Sequence, residues 1–328
     1  GSTGTPKLVP ISRSNWTVFM AGLMREYSWG VGTRVALTFQ PSFDPFIAVA
    51  ILALIHGATL VPLGRKSHFN VFDFCYENRI DVWASTPSLA RLNLIRSSGR
   101  CCESLQESLF TGERLTSGLV RQWQNHAPNS RLENLYGPVE TTVWLTRHRF
   151  RYHEIGEKIP IGKPLLGVEL SIDNGEIVAR GPQVSAGYID ECGLRRFNGI
   201  YRTGDRGSCE EGLYFFDGRI DRQLKVAGRR VEAQQIEDLI EREFGVGSVV
   251  SLNSAGHLCA VLEREVQAQR LHYRLRADLP SWYLPHHTYV AKVWPMTASG
   301  KLNRSLIAEW LQQDNSDNLL SSRSGESA

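Results

Sequence analysis

Arg34-Val-Ala-Leu-Thr-Phe39, the apolar run 46–56, Gly57 and Ala58-Thr-Leu-Val-Pro-Leu63 read in order as strand, helix, helix stop and strand. Both strand segments are apolar at successive positions, the pattern of a strand buried on both faces. The alternation continues downstream. Strands are expected over 81–84, 108–110 and 131–135, with helices over 88–97 and 117–126 between them. Upstream, Trp16, Phe19, Met20, Leu23 and Met24 recur at helical spacing, so a helix is expected over 14–26 with Ser14 or Asn15 as its N-cap. Strands alternating with helices imply an α/β fold: a parallel sheet core with helices on both faces, right-handed crossovers, and ligands at the carboxyl ends of the strands.

Past residue 150 the texture changes. Gly and Pro become frequent and short strands are expected over 167–172, 175–179 and 212–216, a small β-barrel-like subdomain or distorted antiparallel sheet. A third texture starts near Asp221: strand 224–226, amphipathic helix 233–244 carrying Ile236, Ile240 and Phe244, hairpin 246–252 with 257–262, helix 265–275 and a strand near 289–293. These divide the chain into an α/β core (1–150), a β-rich part of that core (151–220), a C-terminal α+β domain (221–311) and a polar, structureless tail (312–328).

The chain has 328 residues, enough for about two domains. Its 37 basic and 34 acidic side chains leave +3, too little for a nucleic-acid or membrane surface. No apolar run approaches the roughly 20 residues that span a bilayer; 46–55 fits a buried helix. Cys75, Cys101, Cys102, Cys192, Cys209 and Cys259 lack metal-ligand spacing and read as reduced thiols of a cytoplasmic protein, with the vicinal Cys101-Cys102 an ordinary loop.

The chain opens on Gly1-Ser-Thr-Gly-Thr-Pro-Lys7, where hydroxyls, flexible backbone amides and one cation suit a polyphosphate. It lacks the Gly-Lys-Ser/Thr ending of a P-loop. Four further segments follow in order: Asn134-Leu-Tyr-Gly-Pro-Val-Glu-Thr-Thr142, Tyr201-Arg-Thr-Gly-Asp205, Gly218-Arg-Ile-Asp-Arg-Gln-Leu-Lys-Val-Ala-Gly228 and Thr297-Ala-Ser-Gly-Lys-Leu-Asn-Arg304. With Gly175-Glu-Ile-Val-Ala-Arg-Gly181, Ala186-Gly-Tyr188 and Leu279-Pro-Ser-Trp-Tyr-Leu-Pro285, this series resembles the adenylate-forming superfamily, specifically the amino-acid adenylation domains of nonribosomal peptide synthetases.

The resemblance implies ATP-dependent, magnesium-dependent activation of an amino acid to an aminoacyl adenylate, with transfer to the phosphopantetheine thiol of a carrier protein. Ser2, Thr3, Gly4 and Lys7 would hold the β- and γ-phosphates, Tyr136 with Gly137 the adenine, Asp205 both ribose hydroxyls and Arg219 the ribose region. Glu140 would bind Mg²⁺, which favours carboxylate and phosphate oxygens. Thr141 would touch the α-phosphate. Lys301 would offset the charge that builds as a carboxylate attacks a phosphate. Asp221 would be the hinge of a mobile C-terminal domain, with Lys225 and Gly228 serving the thiol-transfer state. Asp44, in Ser42-Phe-Asp-Pro-Phe-Ile-Ala48, would meet the substrate ammonium, and Pro45, Ala48, Ala84, Leu109, Thr111, Leu135, Val143 and Trp144 would line a pocket for a small side chain.

Leu8 stands where the family usually has glycine, and the loop at 1–7 lacks a preceding strand. The expectation is an N-terminally truncated chain, inactive or unstable alone, from a stand-alone enzyme or a synthetase cut at both ends. Competing readings are an acyl- or aryl-CoA ligase, a D-alanine:carrier-protein ligase, and an inactive remnant that only binds nucleotide. The first of these has no use for Asp44.

Overall fold

The computed structural model describes residues 7–64, 71–95, 101–150, 155–220, 223–226, 229–313 and 317–321. They form two compact units, one of the described residues within 7–217 and 298–301, the other of those within 218–297 and 302–321.

In the first unit, the strands β1 (Arg34–Leu37), β2 (Thr59–Pro62), β3 (Val82–Ser85), β4 (Glu107–Thr111) and β5 (Arg131–Tyr136) pair in parallel in the order β2-β1-β3-β4-β5. The helices α1 (Arg13–Met24), α2 (Asp44–Ile55), α3 (Val71–Glu77), α4 (Pro87–Ile95) and α5 (Ser117–His126) accompany them. Two apolar clusters form the core. One joins α1 and α2 to residues of β3, β4 and β5, around Phe19, Leu23, Ala84, Leu109 and Leu135. The other gathers Phe72, Trp83, Phe110 and Trp123.

The β-rich part does not form a detached barrel. β6 (Thr146–Arg149), β7 (Pro160–Pro164), β8 (Glu169–Asp173), β9 (Glu176–Arg180), β12 (Ile200–Glu210) and β13 (Leu213–Arg219) extend the parallel sheet into one of eleven strands. The junction is antiparallel at β5–β6 and β6–β7. A Cβ at Gly162 would sit 2.0 Å from the Arg147 carbonyl oxygen, so the β6–β7 crossing requires glycine there. β10 (Gly187–Asp190) and β11 (Gly193–Arg196) form a separate hairpin.

Other expectations are corrected locally. Ser12 is the N-cap of α1, in a reciprocal box with Asn15. The seven-residue α3 had been missed, since Val-Phe-Asp-Phe-Cys-Tyr-Glu is too short and aromatic to display a helical period. The apolar run at 46–55 is helical, yet α2 buries only Pro45, Ala48, Val49, Leu52 and Ala53; Ile47, Leu54 and Ile55 are exposed.

A buried charge network fastens β5 to β6. Glu133, wholly inaccessible, accepts from the Tyr27 hydroxyl at 2.7 Å and Arg149 Nε at 2.6 Å, with Arg147 at 3.5 Å. Burial raises its carboxyl above the usual range, and the two arginines oppose that rise. Removing one member strands the others: Glu133→Ala is expected to cost about 3–5 kcal/mol in urea unfolding. A loss under about 1 kcal/mol would show that the network carries little stability.

The second unit contains β14 (Gln223–Val226), β15 (Arg229–Glu232), α6 (Ala233–Phe244), β16 (Ser248–Leu252), β17 (Leu258–Leu262), α7 (Ala268–Asp278), β18 (His287–Ala291), α8 (Arg304–Gln312) and β19 (Leu319–Ser321). β16 and β17 form the expected hairpin; β17 pairs in parallel with β18, and β18 antiparallel with β19. β19 lies within the stretch expected to be structureless. Its Leu319 is buried with Ile307 and Leu311, enough apolar content to order that short piece. No described helix is long and apolar enough to cross a membrane.

Candidate active site

The site of the first unit grows from the carboxyl ends of β4 and β5, where parallel sheets place ligands. Beyond β5 the chain turns sharply. A Cβ at Gly137 would lie 2.5 Å from the Val143 carbonyl oxygen and 2.7 Å from the Leu145 nitrogen. Only glycine lets the turn carrying Glu140 fold back on 143–145, which explains Tyr-Gly-Pro at this point.

Tyr136 ends β5, and its hydroxyl donates to Asp205 Oδ2 at 2.6 Å. Asp205 is buried on β12, and its backbone N–H donates to the Thr203 hydroxyl at 3.0 Å. Two expected nucleotide-binding residues from distant segments are therefore joined. The Phe216 ring, 6.3 Å from that of Tyr136, adds an aromatic neighbour that sequence reading missed. Its strand pattern, Leu-Tyr-Phe-Phe, read only as barrel core.

Glu140 is half-buried and accepts from the Tyr188 hydroxyl at 2.6 Å. Among the described residues no three acidic, histidine or cysteine groups could jointly hold a metal. Magnesium commonly takes one or two carboxylates and completes its shell with phosphate oxygens and water, so a lone Glu140 fits it. Thr141 is wholly buried, and its hydroxyl donates to the Pro138 carbonyl at 2.9 Å. Exposed Val139 takes the outer position of this turn.

Asp44 lies in the first turn of α2, and burial raises its carboxyl to about 6 despite the opposing charge of Lys301. Lys301 groups with the first unit, its ammonium 4.3 Å from the centre of the Phe43 ring. Burial lowers its ammonium below the ordinary lysine value, with Glu113 and Asp44 opposing. The local sequence builds this placement. Met296 bridges to Leu302, Gly300 takes φ +75°, and the Thr86 hydroxyl donates to the Gly300 carbonyl. Glu113, which also accepts from the Ser88 N–H at 2.9 Å, had been missed as a member of the charge group.

The expected pocket residues come together. Ala48, Ala84, Leu109, Leu135, Val143 and Trp144 share one apolar cluster, with Pro45 buried on α2. The Trp144 indole donates to the Thr111 hydroxyl at 2.9 Å, and Thr142 and Val143 take left-handed φ of 60° and 68° to bring that ring inward. Lys7 has its ammonium 4.8 Å from the Tyr188 ring centre. Ser2, Thr3, Gly4, Asp221 and Gly228 lie outside the described residues. Lys225 is on β14 opposite Arg230, and Arg219 is exposed at the end of β13, in the second unit.

Residues 1–189 match the family described as AMP-binding enzyme. The chain belongs to this family of adenylate-forming ligases. Over 94% of its length it is 32% identical to the D-alanine--D-alanyl carrier protein ligase of Bacillus licheniformis, spanning 69% of that protein. The crystal structure of IdnL7 is 30% identical, with TM-score 0.82 over 95% of this chain and 67% of that one. The Vibrio cholerae adenylation domain AlmE, solved with glycyl-adenosine-5'-phosphate, is 25% identical, with TM-score 0.62 over 94% and 65%. The α/β fold read from the sequence agrees with these structures.

Proposed function

We propose that this AMP-binding enzyme activates a small α-amino acid with ATP and passes the aminoacyl group to a carrier-protein thiol. The observation that carries the reading is the juxtaposition of Asp44 and Lys301 at the ends of the parallel strands. An α-amino acid brings an ammonium and a carboxylate, and this pair offers the opposite charge to each. A fatty or aryl acid would leave Asp44 a buried carboxylate with no ligand cation to meet.

In the first step a substrate carboxylate oxygen attacks the α-phosphorus, a P–O bond forms, and pyrophosphate leaves. The carboxylate is already ionised, so positioning and charge neutralisation carry the step. Lys301 offsets the charge where the two anions meet. Tyr136 and Asp205 hold the adenine and ribose, and Lys7 serves the departing phosphates. Magnesium, when bound, supplies charge neutralisation on phosphate oxygens, and Glu140 is the residue that would hold it. In the second step a thiolate sulfur attacks the acyl carbon and AMP leaves.

Close packing supports a small side chain: Leu109, Leu135 and Trp144 are each 1% exposed, and the indole is fixed by Thr111, which leaves little room for a bulky group. The curated relatives are ligases for D-alanine and a carrier protein. Those names support the D-alanine-type ligase over a nonribosomal peptide synthetase module, which shares the chemistry. Exchange of labelled pyrophosphate into ATP should depend on glycine, D-alanine or L-alanine at least about 10-fold more than on leucine or phenylalanine. No exchange with any amino acid, alongside thioester formation from free fatty or aryl acids and CoA, would overturn the proposal.

A further inference from the structure

Tyr188 and Tyr201 stand beside Glu140, and the chemistry above gives neither a task. The Tyr188 hydroxyl donates to Glu140 Oε1 at 2.6 Å, and the Tyr201 hydroxyl lies 3.3 Å from that of Tyr188. The Tyr188 ring carries the Lys7 ammonium at 4.8 Å and the Arg195 guanidinium at 5.5 Å. The backbone repeats these ties. The Ile189 N–H donates to the Leu8 carbonyl at 2.9 Å, the Ser185 N–H to the Glu140 carbonyl at 2.8 Å, and the Ser185 hydroxyl to the Pro10 carbonyl at 2.8 Å. Segment 185–189 thus touches both the Glu140 turn and the chain just after the phosphate loop.

We propose that Tyr188 is a positioning residue that fixes the Glu140 carboxylate for a nucleotide-bound magnesium ion and couples it to Lys7. The inference rests on the adenylation reading. A glutamate on a turn has three rotatable bonds, the last broad and weakly restrained, so an unanchored carboxylate must be ordered when the cation arrives. A carboxylate has about four lone-pair sites, so accepting from Tyr188 leaves capacity for a metal. The ring of Tyr188 acts separately, as a seat for the Lys7 cation.

Calorimetric titration with MgATP and with ATP in excess EDTA separates these contributions. The wild-type chain should bind MgATP more tightly than metal-free ATP. Tyr188→Phe keeps the ring and loses the hydroxyl, so it should cut that magnesium-dependent gain by about 3–10-fold, with metal-free affinity and melting temperature unchanged. Tyr188→Leu should in addition weaken metal-free ATP by about 2–5-fold through Lys7. Tyr201→Phe, which removes the hydroxyl beside that of Tyr188, should reduce the gain by a smaller factor, and Glu140→Gln should remove most of it. A Tyr188→Phe chain that retains the whole gain, or loses metal-free and metal-bound affinity equally, would overturn the proposal and leave the adenylation reading standing. So would a wild-type chain with no magnesium-dependent gain. A wild-type chain that binds no ATP in either form would overturn both.

Discussion

Lys301→Ala is expected to lower the rate of adenylate formation by about 10²–10³-fold, with ATP affinity changed less than about 2-fold. The argument is electrostatic. Negative charge accumulates only as the substrate carboxylate approaches the α-phosphate, so a cation supplied there acts on the transition state more than on bound ATP. Lys301 is held ready for this in a partly desolvated setting, over the Phe43 ring and opposed by Asp44 and Glu113. A lowered dielectric strengthens what its charge can do. Lys301→Arg is not expected to restore the rate, because a planar fork differs from a compact ammonium and Gly112 is close: a Cβ there would sit 3.1 Å from Lys301 Cε. Single-turnover adenylation with equilibrium ATP binding checks this. Equal loss of binding and rate would show that Lys301 holds ground-state nucleotide.

Asp44→Asn is expected to raise the KM for the amino acid by about 10²-fold or more, because a buried ammonium would lose its counter-charge. ATP affinity should hold. The same group sets a pH dependence. Its carboxyl is raised to about 6 by burial, so the anion that meets the ammonium exists above that pH and is lost below it. Amino-acid affinity should therefore fall up to about 10-fold per unit as pH drops below 6, and the Asn variant should lack that fall. For stability the sign is opposite. A carboxyl raised on folding favours the protonated native state, so ionisation between its unfolded value and about 6 costs stability, and Asp44→Asn should fold at least as well as wild type at pH 7. KM against pH for both proteins, with thermal melting, checks these outcomes. A pH-independent wild-type KM between 5 and 7 would remove Asp44 from the ammonium site.

Much of the fold was legible because its signals are local. Arg-Val-Ala-Leu and Thr-Leu-Val-Pro are strand-forming runs next to helices that stop at identifiable residues, and α5 and α6 fall at their expected limits. The site motifs were legible for a similar reason: Gly137 and Gly300 are demanded by backbone geometry, and Tyr136 ends the strand that leads into the first of those turns. What escaped depends on pairing across long separations. Nothing near Glu133 in the chain announces Tyr27, 106 residues away, and nothing near Glu140 announces Tyr188, 48 residues away. The burial of Thr141 was not legible either, because it comes from the tight turn that ties its hydroxyl to the Pro138 carbonyl.

The most direct measurement is binding of alanyl-sulfamoyladenosine, a stable mimic of the aminoacyl adenylate, against the same compound lacking its amino group. If Asp44 receives an ammonium while Asp205 and Tyr136 hold the nucleoside, the amino compound should bind about 100-fold more tightly at pH 7.5, and the difference should vanish in Asp44→Asn. Equal affinity of the wild-type chain for the two compounds would contradict the account.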